Sequence, residues 1–263
     1  MTDDKRPVGI FDSGVGGLTV LQAVAERLPN ENIIYFGDTA HLPYGNKSPE
    51  AIIKYSLAAY KLLKEMDIKI MVVACNTASV YAIEALKETG DIPVVGVVES
   101  GVEAAISIAV ESVGIIGTYG TVNSRSYEDK IKQKNADLKI FSRACPLFVP
   151  LVEEGWLQHP VTQNVAEIYL SEFRNKIDSL ILACTHYPLL KEIIADTLGE
   201  EVRIIDSATE VAMTVEKKMT EMDIINRTED VRSMNFFVSD GPLNFIRTGK
   251  IFLGYPIENV AVI

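Results

Sequence analysis

Two cysteines occupy matching positions in the sequence and could take part in one reaction. Cys75 follows the apolar run VVA and precedes Asn76-Thr77, and Cys184 follows the apolar run LILA and precedes Thr185-His186. The amide and hydroxyl groups that follow Cys75, and the hydroxyl and imidazole groups that follow Cys184, are suited to holding a small ligand. A reaction that needs two equivalent groups is the removal of a proton from one face of a carbon and its return on the other. The pair therefore predicts stereochemical inversion.

Other interpretations of these residues remain open from the residues alone. A single free cysteine is more often a buried core residue than a reactive one. One cysteine with His186 would suit a thiol hydrolase or transferase, although this leaves the second thiol unexplained. Cys75, Cys184 and His186 could supply three zinc ligands, but the spacing shows no further ligand pair. A binding module that holds an amino acid without converting it is a further alternative.

The cysteine pair belongs to a longer internal repeat. The segment VGIFDSGVGG begins at Val8, and VGIIGTYGTV begins 105 residues later at Val113. Ala-Cys recurs after 109 residues, and the segment beginning at Val98 has a counterpart after 107 residues at Ile205. Three short matches in the same order at a nearly constant offset predict a duplicated half, and hence two similar domains.

The elements that would position these groups alternate along the chain. Apolar runs rich in Val and Ile predict strands, and the stretches between them have the apolar stripes of amphipathic helices. The predicted strands cover residues 8–12, 32–38, 68–75, 92–98, 112–118, 138–145, 179–184 and 201–207. Helices are predicted over 17–28 and from the Ser48 cap to about Met66. This alternation predicts an α/β fold with mainly parallel sheets.

We expect two similar three-layer α/β domains, related by a pseudo-two-fold axis, with the active site in the cleft between them. The last stretch, from NFFVSD to the C-terminus, reads as a strand, a helix opened by Gly-Pro, and a terminal segment that returns to the first half. The first domain is therefore predicted to contain residues 1–97 and 208–263, and the second domain residues 98–207.

A glycine-rich turn follows the first predicted strand. Asp12-Ser13 precede Gly14, Gly16 and Gly17, and ligands in α/β proteins gather at such carboxyl ends of strands. The pattern is neither the dinucleotide fingerprint nor a Walker phosphate loop. Asp12 and Ser13 could cap the following helix, or could face an amine or a base. The counterpart in the second half, Gly117–Thr121, carries hydroxyl groups in place of the carboxylate.

Composition limits the classes of partner. The 263-residue chain has a formal net charge of −11, which argues against nucleic acid as a general partner because phosphate binding needs concentrated Lys and Arg. The start MTDDKRPVGI lacks the apolar core of a signal peptide, and we find no apolar run of about 18 residues that would span a membrane. Three cysteines without a CxxC pair favour a reducing, cytoplasmic compartment.

Taken together, the motifs resemble the glutamate racemase family from about Val8 to Gly254. The segments that carry the resemblance are FDSGVGGLTV, YFGDTAHLPYGNKS, VVACNTAS, CPLFVPLVEEG, LACTHYPLL and SDGPLNF. The resemblance implies cofactor-independent interconversion of L- and D-glutamate, which supplies D-glutamate for bacterial peptidoglycan. It also implies a homodimer that needs neither a metal nor pyridoxal phosphate.

The resemblance also implies roles for individual residues. Cys75 would act on D-glutamate with help from Asp12, and Cys184 would act on L-glutamate with help from Glu153 and His186. Substrate-binding contacts are expected from Asp12, Ser13, Pro43, Tyr44, Gly45, Cys75, Asn76, Thr77, Thr118, Thr121, Cys184, Thr185 and His186. Because each thiol must act as base in one direction and as acid in the other, we expect the thiol pKa to be lowered modestly, toward about 7.

Overall fold

Short apolar strands alternate with helices along the whole chain, as the sequence predicts. The structure is a computed structural model, and it describes residues 3–228 and 230–263. The strands form a six-stranded and a four-stranded sheet, and each strand pair in these residues is parallel. Strands such as VGIFD are buried along their full length, because helices cover both faces of a parallel sheet. The α/β class is thereby confirmed.

The first half of the chain builds one side of the molecule. Its elements are β1 (Val8–Asp12), α1 (Leu18–Arg27), β2 (Ile33–Gly37), α2 (Pro49–Glu65), β3 (Ile70–Val73), α3 (Asn76–Glu88) and β4 (Val94–Gly96). Ser48 caps α2 as predicted, since its Oγ accepts a hydrogen bond of 3.3 Å from the N–H of Ala51. Short 3₁₀ turns at Thr39–His41 and Tyr44–Asn46 shape the loop between β2 and α2.

The second half repeats this plan. Helix α4 (Val97–Ile108) leads into β5 (Ser112–Gly117), α5 (Tyr119–Asn123), α6 (Ser126–Lys134), β6 (Lys139–Ala144), α7 (Phe148–Glu153), α8 (Pro160–Leu170), β7 (Ser179–Ala183), α9 (Lys191–Leu198) and β8 (Arg203–Asp206). The strand order is β2-β1-β3-β4 in the first half and β6-β5-β7-β8 in the second. The two halves are therefore wound identically, as expected for the duplication seen in the sequence.

The C-terminal stretch returns to the first sheet. Helix α10 (Ser207–Glu221) is followed by β9 (Met234–Val238), α11 (Pro242–Leu253) and β10 (Val260–Val262). Strand β9 pairs with β2, and β10 pairs with β9 at the outer edge. The predicted strand, Gly-Pro-initiated helix and returning terminal segment are all present, and the terminal segment adds a further strand.

One predicted strand is wrong in its extent. The apolar run 92–98 contributes only Val94–Gly96 to the sheet, and α4 begins directly at Val97. An apolar run of this length fits a buried strand or a buried helix equally well, so its period does not locate the boundary. Val102 and Ala105 of α4 pack with Ile115 and Ile181 of the second half. The domain boundaries at 97/98 and 207/208 stay a prediction.

Within residues 3–228 and 230–263, none of the helices combines the length and the apolar character that crossing a membrane requires.

Candidate active site

The strand order places the predicted site residues at two equivalent points of the fold. In each half, the first strand along the chain lies next to the third. The helices that follow these two strands pack in different hydrophobic clusters, α1 and α3 in the first half and α6 and α9 in the second, so the chain leaves the two strands toward opposite faces of the sheet. Such a switch point opens a crevice where ligands bind in α/β proteins. Asp12 ends β1 and Cys75 follows β3, while Thr118 follows β5 and Cys184 follows β7.

The two switch points face one cavity of about 270 Å³. Its walls contain groups from both halves of the chain, including both cysteines. The lining residues are Ser13, Leu42, Pro43, Tyr44, Gly45, Cys75, Asn76, Thr77, Thr118, Val149, Glu153, Ala183, Cys184, Thr185 and His186. A small, partly polar cavity of this kind suits a compact polar molecule.

Cys75 lies at the start of α3 and caps that helix. Its Sγ accepts a hydrogen bond of 3.5 Å from the N–H of Ala78 and donates one of 3.5 Å to Ser13 Oγ. Helix N-termini favour negative charge, and an ionised Sγ could accept from both the N–H of Ala78 and the hydroxyl of Ser13, which lowers the pKa of the thiol. Burial nevertheless dominates, and together with the nearby Asp12 carboxylate it raises the pKa of the Cys75 thiol to about 11.

Cys184 has a different set of partners. Its Sγ lies 3.9 Å from His186 Nδ1, and His186 Nε2 lies 3.0 Å from Glu153 Oε1. These contacts form a chain from the thiol through the imidazole to a carboxylate whose side chain is one-third exposed. Burial raises the pKa of the Cys184 thiol above its usual range, and the charge of an ionised Cys75 would raise it further. The expected modest lowering of both thiol pKa values is therefore wrong, because desolvation outweighs the hydrogen bonds.

Asp12 lies behind the cavity wall, where it shapes the glycine-rich turn. The carboxylate is 1% exposed, and its Oδ2 accepts a hydrogen bond of 2.9 Å from the N–H of Gly14. Burial raises the pKa of Asp12. The turn also approaches the second half closely, since a Cβ added at Gly16 would lie 2.5 Å from His186 Nδ1. A glycine at this position lets the two halves meet next to the Cys184 side.

Hydroxyl groups from both halves meet at the cavity. Thr77 Oγ1 lies 2.9 Å from Thr118 Oγ1 and 3.2 Å from Thr121 Oγ1, and the last two are 3.1 Å apart. Each hydroxyl has one hydrogen to donate and can exchange partners. This cluster can present donors to a carboxylate in the cavity. Thr77 and Thr118 line the cavity, whereas Thr121 lies behind them and contacts both.

The loop after β2 supplies a further wall through Pro43, Tyr44 and Gly45. Tyr44 is buried, and its hydroxyl donates a hydrogen bond of 2.7 Å to Asp38 Oδ2. Asp38 Oδ1 also accepts a hydrogen bond of 2.8 Å from Ser239 Oγ, which ties this loop to the C-terminal stretch. The sequence motifs give no role to Asp38, because its function as an anchor depends on a contact with a residue 201 positions away.

The structure thus brings together almost all the residues named from the sequence. Asp12 and Thr121 are exceptions in that they lie directly behind the cavity wall. The sequence analysis did not name Leu42, Val149 or Ala183 as site residues, since an apolar side chain carries no chemical signal in a single sequence. Over residues 3–228 and 230–263, we find no cluster of three His, Cys, Asp or Glu side chains arranged to hold a metal ion.

The sequence of the chain is similar to that of known racemases. A profile of the Asp/Glu/hydantoin racemase family matches residues 16–215. The chain is 49% identical to a glutamate racemase of Geobacter metallireducens over 257 residues, which cover 97% of this chain and 95% of the relative. It is 44% identical to a glutamate racemase of Chlorobaculum tepidum, covering 98% of this chain and 96% of the relative.

Solved structures show the same relationship in three dimensions. The crystal structure of glutamate racemase from Francisella tularensis in complex with D-glutamate matches with a TM-score of 0.93 at 38% sequence identity. The match covers 99% of this chain and 98% of that chain. The Picrophilus torridus aspartate racemase, at 19% identity and a TM-score of 0.59, shares the fold.

Proposed function

The chain belongs to the Asp/Glu/hydantoin racemase family and is an amino-acid racemase, and we propose that it interconverts L- and D-glutamate with two cysteines as acid and base. The observation that carries the proposal is the placement of Cys75 and Cys184 on one cavity, each after the third strand of its half. Full-length relatives named glutamate racemase, and a similar structure that holds D-glutamate, support the choice of substrate.

The proposed reaction moves one proton off the substrate and another onto it. In the L-to-D direction the Cys184 thiolate takes the proton from Cα, and its electron pair is left on the substrate carbon and carboxylate. The Cys75 thiol then donates its proton to the opposite face of Cα, which leaves Cys75 as the thiolate. The D-to-L direction reverses these roles. No redox step occurs, and the substrate's other bonds are unchanged.

The raised thiol pKa values define what the substrate must contribute. Burial keeps both thiols protonated near neutral pH, so a thiolate needs a compensating positive charge. In our proposal the ammonium group of the amino acid supplies this charge inside the cavity. The carboxyl groups of Asp12 and Glu153 and the imidazole of His186 then help to move the proton to and from the thiols.

Stabilisation of the carbanion falls to hydrogen-bond donors. The hydroxyl cluster formed by Thr77, Thr118 and Thr121, together with Ser13 and Thr185, can donate to the α-carboxylate of the substrate. Asn76 can bind the side-chain carboxylate, whose charge does not change during the reaction. Donors that are already oriented stabilise charge that develops on the α-carboxylate without reorganising. The loop residues Pro43, Tyr44 and Gly45 complete the binding site. The mechanism assigns no step to a metal or to an organic cofactor.

The wider role follows from the product. We propose that the enzyme acts in the cytoplasm as a homodimer and supplies D-glutamate for peptidoglycan, without nucleic acid or membrane partners. The acidic net charge of −11 supports the expectation about nucleic acid. The predicted division into residues 1–97 with 208–263 and residues 98–207 places one cysteine in each domain and the cavity between the domains.

Circular dichroism of purified protein with L-glutamate, and separately with D-glutamate, tests the function. Each enantiomer should lose its optical signal to the same end point in the presence of EDTA, and L-aspartate serves as the control substrate. In D₂O the newly formed enantiomer should carry deuterium at Cα. Turnover without solvent label would contradict the two-base mechanism, and loss of turnover in EDTA would contradict its independence from metal.

A further inference from the structure

A buried contact outside the cavity joins the two halves next to the cysteines. Tyr127 lies on α6 of the second half, and its hydroxyl donates a hydrogen bond of 2.6 Å to Asn76 Oδ1. Asn76 begins α3, directly after Cys75, and lines the cavity. Tyr127 does not line the cavity, and both side chains are about 2% exposed. The phenol therefore reaches the site through the amide of Asn76.

This hydrogen bond favours one orientation of the amide. A phenol can also accept, but in the flipped orientation the buried hydrogen of the Tyr127 hydroxyl would have no acceptor within the described part of the chain. The amide nitrogen Nδ2 of Asn76 is buried and has no hydrogen-bond partner within the described part of the chain. The terminal torsion of asparagine has two roughly equivalent settings, which exchange the oxygen and the nitrogen. In the flipped setting the oxygen would take the place of the donor, and it would repel a carboxylate. Holding Oδ1 toward Tyr127 keeps Nδ2 available as a donor.

The surroundings of Tyr127 make it a suitable anchor. Its ring packs in the cluster that contains Val98 and Ile131, and a Cβ added at Gly101 would lie 3.4 Å from Tyr127 Cε1. Burial raises the pKa of Tyr127, so the phenol keeps the hydrogen that it donates. A ring held on several sides fixes the position of its hydroxyl, and hence the orientation of the amide that accepts from it.

We propose that Tyr127 is a positioning residue, which orients the Asn76 side chain so that Nδ2 donates to a carboxylate of the amino acid in the cavity. This inference rests on the proposed function, because a glutamate substrate provides the carboxylate. It assigns to the second half an influence, exerted through Asn76, on a substrate contact made by the first half.

The first test is the variant Tyr127→Phe, assayed with L- and D-glutamate. The carboxylate is charged both in the ground state and in the transition state, so loss of the donor should raise KM about tenfold and leave kcat within about twofold. Asn76→Asp keeps an acceptor for Tyr127 but removes the donor, and it should raise KM at least as much. A fall in kcat with KM unchanged in both variants would overturn the proposal.

A double-mutant cycle separates positioning from general loss of structure. If Tyr127 acts through Asn76, adding Tyr127→Phe to Asn76→Ala should leave kcat/KM unchanged, whereas independent effects would multiply. Tyr60→Phe is the matched control, since it removes a buried hydroxyl that accepts from the N–H of Ile92 at the other end of the first sheet. It should lower stability in urea unfolding without changing KM.

The outcomes distinguish this inference from the function on which it rests. Wild-type protein that racemises glutamate, combined with multiplicative effects in the cycle, would overturn the role of Tyr127 alone. Wild-type protein that binds glutamate without racemising it would overturn the proposed function. In that case calorimetric glutamate affinity in the same four proteins decides the role of Tyr127, with a non-additive loss expected.

Discussion

Cys75 and Cys184 line the same cavity from equivalent positions. Each cysteine comes directly after an alanine, at the carboxyl end of the third strand of its half. The identical strand order of the two halves makes this relationship a consequence of the fold. Their immediate partners differ, however. Cys75 caps a helix and contacts Ser13, whereas Cys184 contacts His186. The site therefore has a symmetric framework with an asymmetric set of helper groups.

Removal of either cavity thiol should abolish racemisation. Cys75→Ala and Cys184→Ala each delete one acid/base group, and loss of such a group lowers the rate by at least about a hundredfold. Chiral chromatography of the products measures this. Cys145→Ala is the matched control, because Cys145 is buried but does not line the cavity. If either cavity variant kept full activity, the two-base assignment would be wrong.

Substitution of His186 should slow the two directions unequally. His186→Asn removes the imidazole next to Cys184, so we expect kcat for L-glutamate to fall about a hundredfold and kcat for D-glutamate to fall less. The ratio of the two kcat/KM values must stay at unity, because enantiomers have equal free energy. Initial rates in both directions measure the effect.

Controls for this prediction come from two adjacent glutamates. Glu153→Gln should act in the same direction as His186→Asn but more weakly, since Glu153 contacts the imidazole and not the thiol. Glu154→Gln alters the exposed neighbour and should leave both rates unchanged. Equal losses of kcat in the two directions for His186→Asn would contradict the assignment of His186 to the Cys184 side.

Much of this arrangement could be predicted from the sequence, for identifiable reasons. The buried parallel strands produce continuous Val- and Ile-rich runs, and the duplication repeats motifs such as Ala-Cys at a nearly constant offset. Because carboxyl ends of parallel strands lie at one edge of a sheet, residues that follow the runs were expected to meet. Cys75, Cys184, Thr77 and Thr118 do line the same cavity.

What could not be predicted depends on long-range contacts and on desolvation. Asp38 anchors the loop of Tyr44 through Ser239, which is 201 residues away, and Tyr127 contacts Asn76 of the other half, so no local pattern indicates their roles. The direction of the thiol pKa shifts was predicted wrongly, because sequence motifs show neighbouring donors but not the extent of burial. Burial is the first cause of the raised pKa at both Cys75 and Cys184.

A buried ion pair at the other end of β3 should dominate the response of stability to mutation. Lys69 Nζ lies 2.6 Å from Glu31 Oε2, both side chains are at most 1% exposed, and Lys69 also donates to the carbonyls of Asp4 and Ile224. Lys69→Met leaves the carboxylate buried without its partner, which should lower the free energy of unfolding by about 3–5 kcal/mol. Urea unfolding measures the loss.

Two further variants define the origin of that loss. The double variant Lys69→Met with Glu31→Gln removes both charges and keeps an acceptor for the N–H of Asn226, so it should recover much of the stability. Lys5→Met breaks the exposed pair with Asp230 and should have almost no effect. A double variant less stable than Lys69→Met would show that the unpaired charge is not the cause.

Alkylation of Cys75 should depend steeply on pH, because the thiolate reacts and the thiol does not. With a pKa raised to about 11, the thiolate fraction of Cys75 at neutral pH is very small, and it should increase about tenfold per pH unit up to that value. Iodoacetamide labelling without glutamate, read by peptide mass spectrometry between pH 7 and 10, should therefore give a log-linear rate. Cys145, whose pKa burial raises to about 12 and which does not line the cavity, should stay unlabelled in the same samples.

Asp12→Asn should speed the labelling of Cys75, since the carboxylate of Asp12 is the second cause of the raised pKa. A rate that levels off by pH 8 would place the pKa near the value expected from the sequence, and would remove the need for the substrate's ammonium group to generate the thiolate.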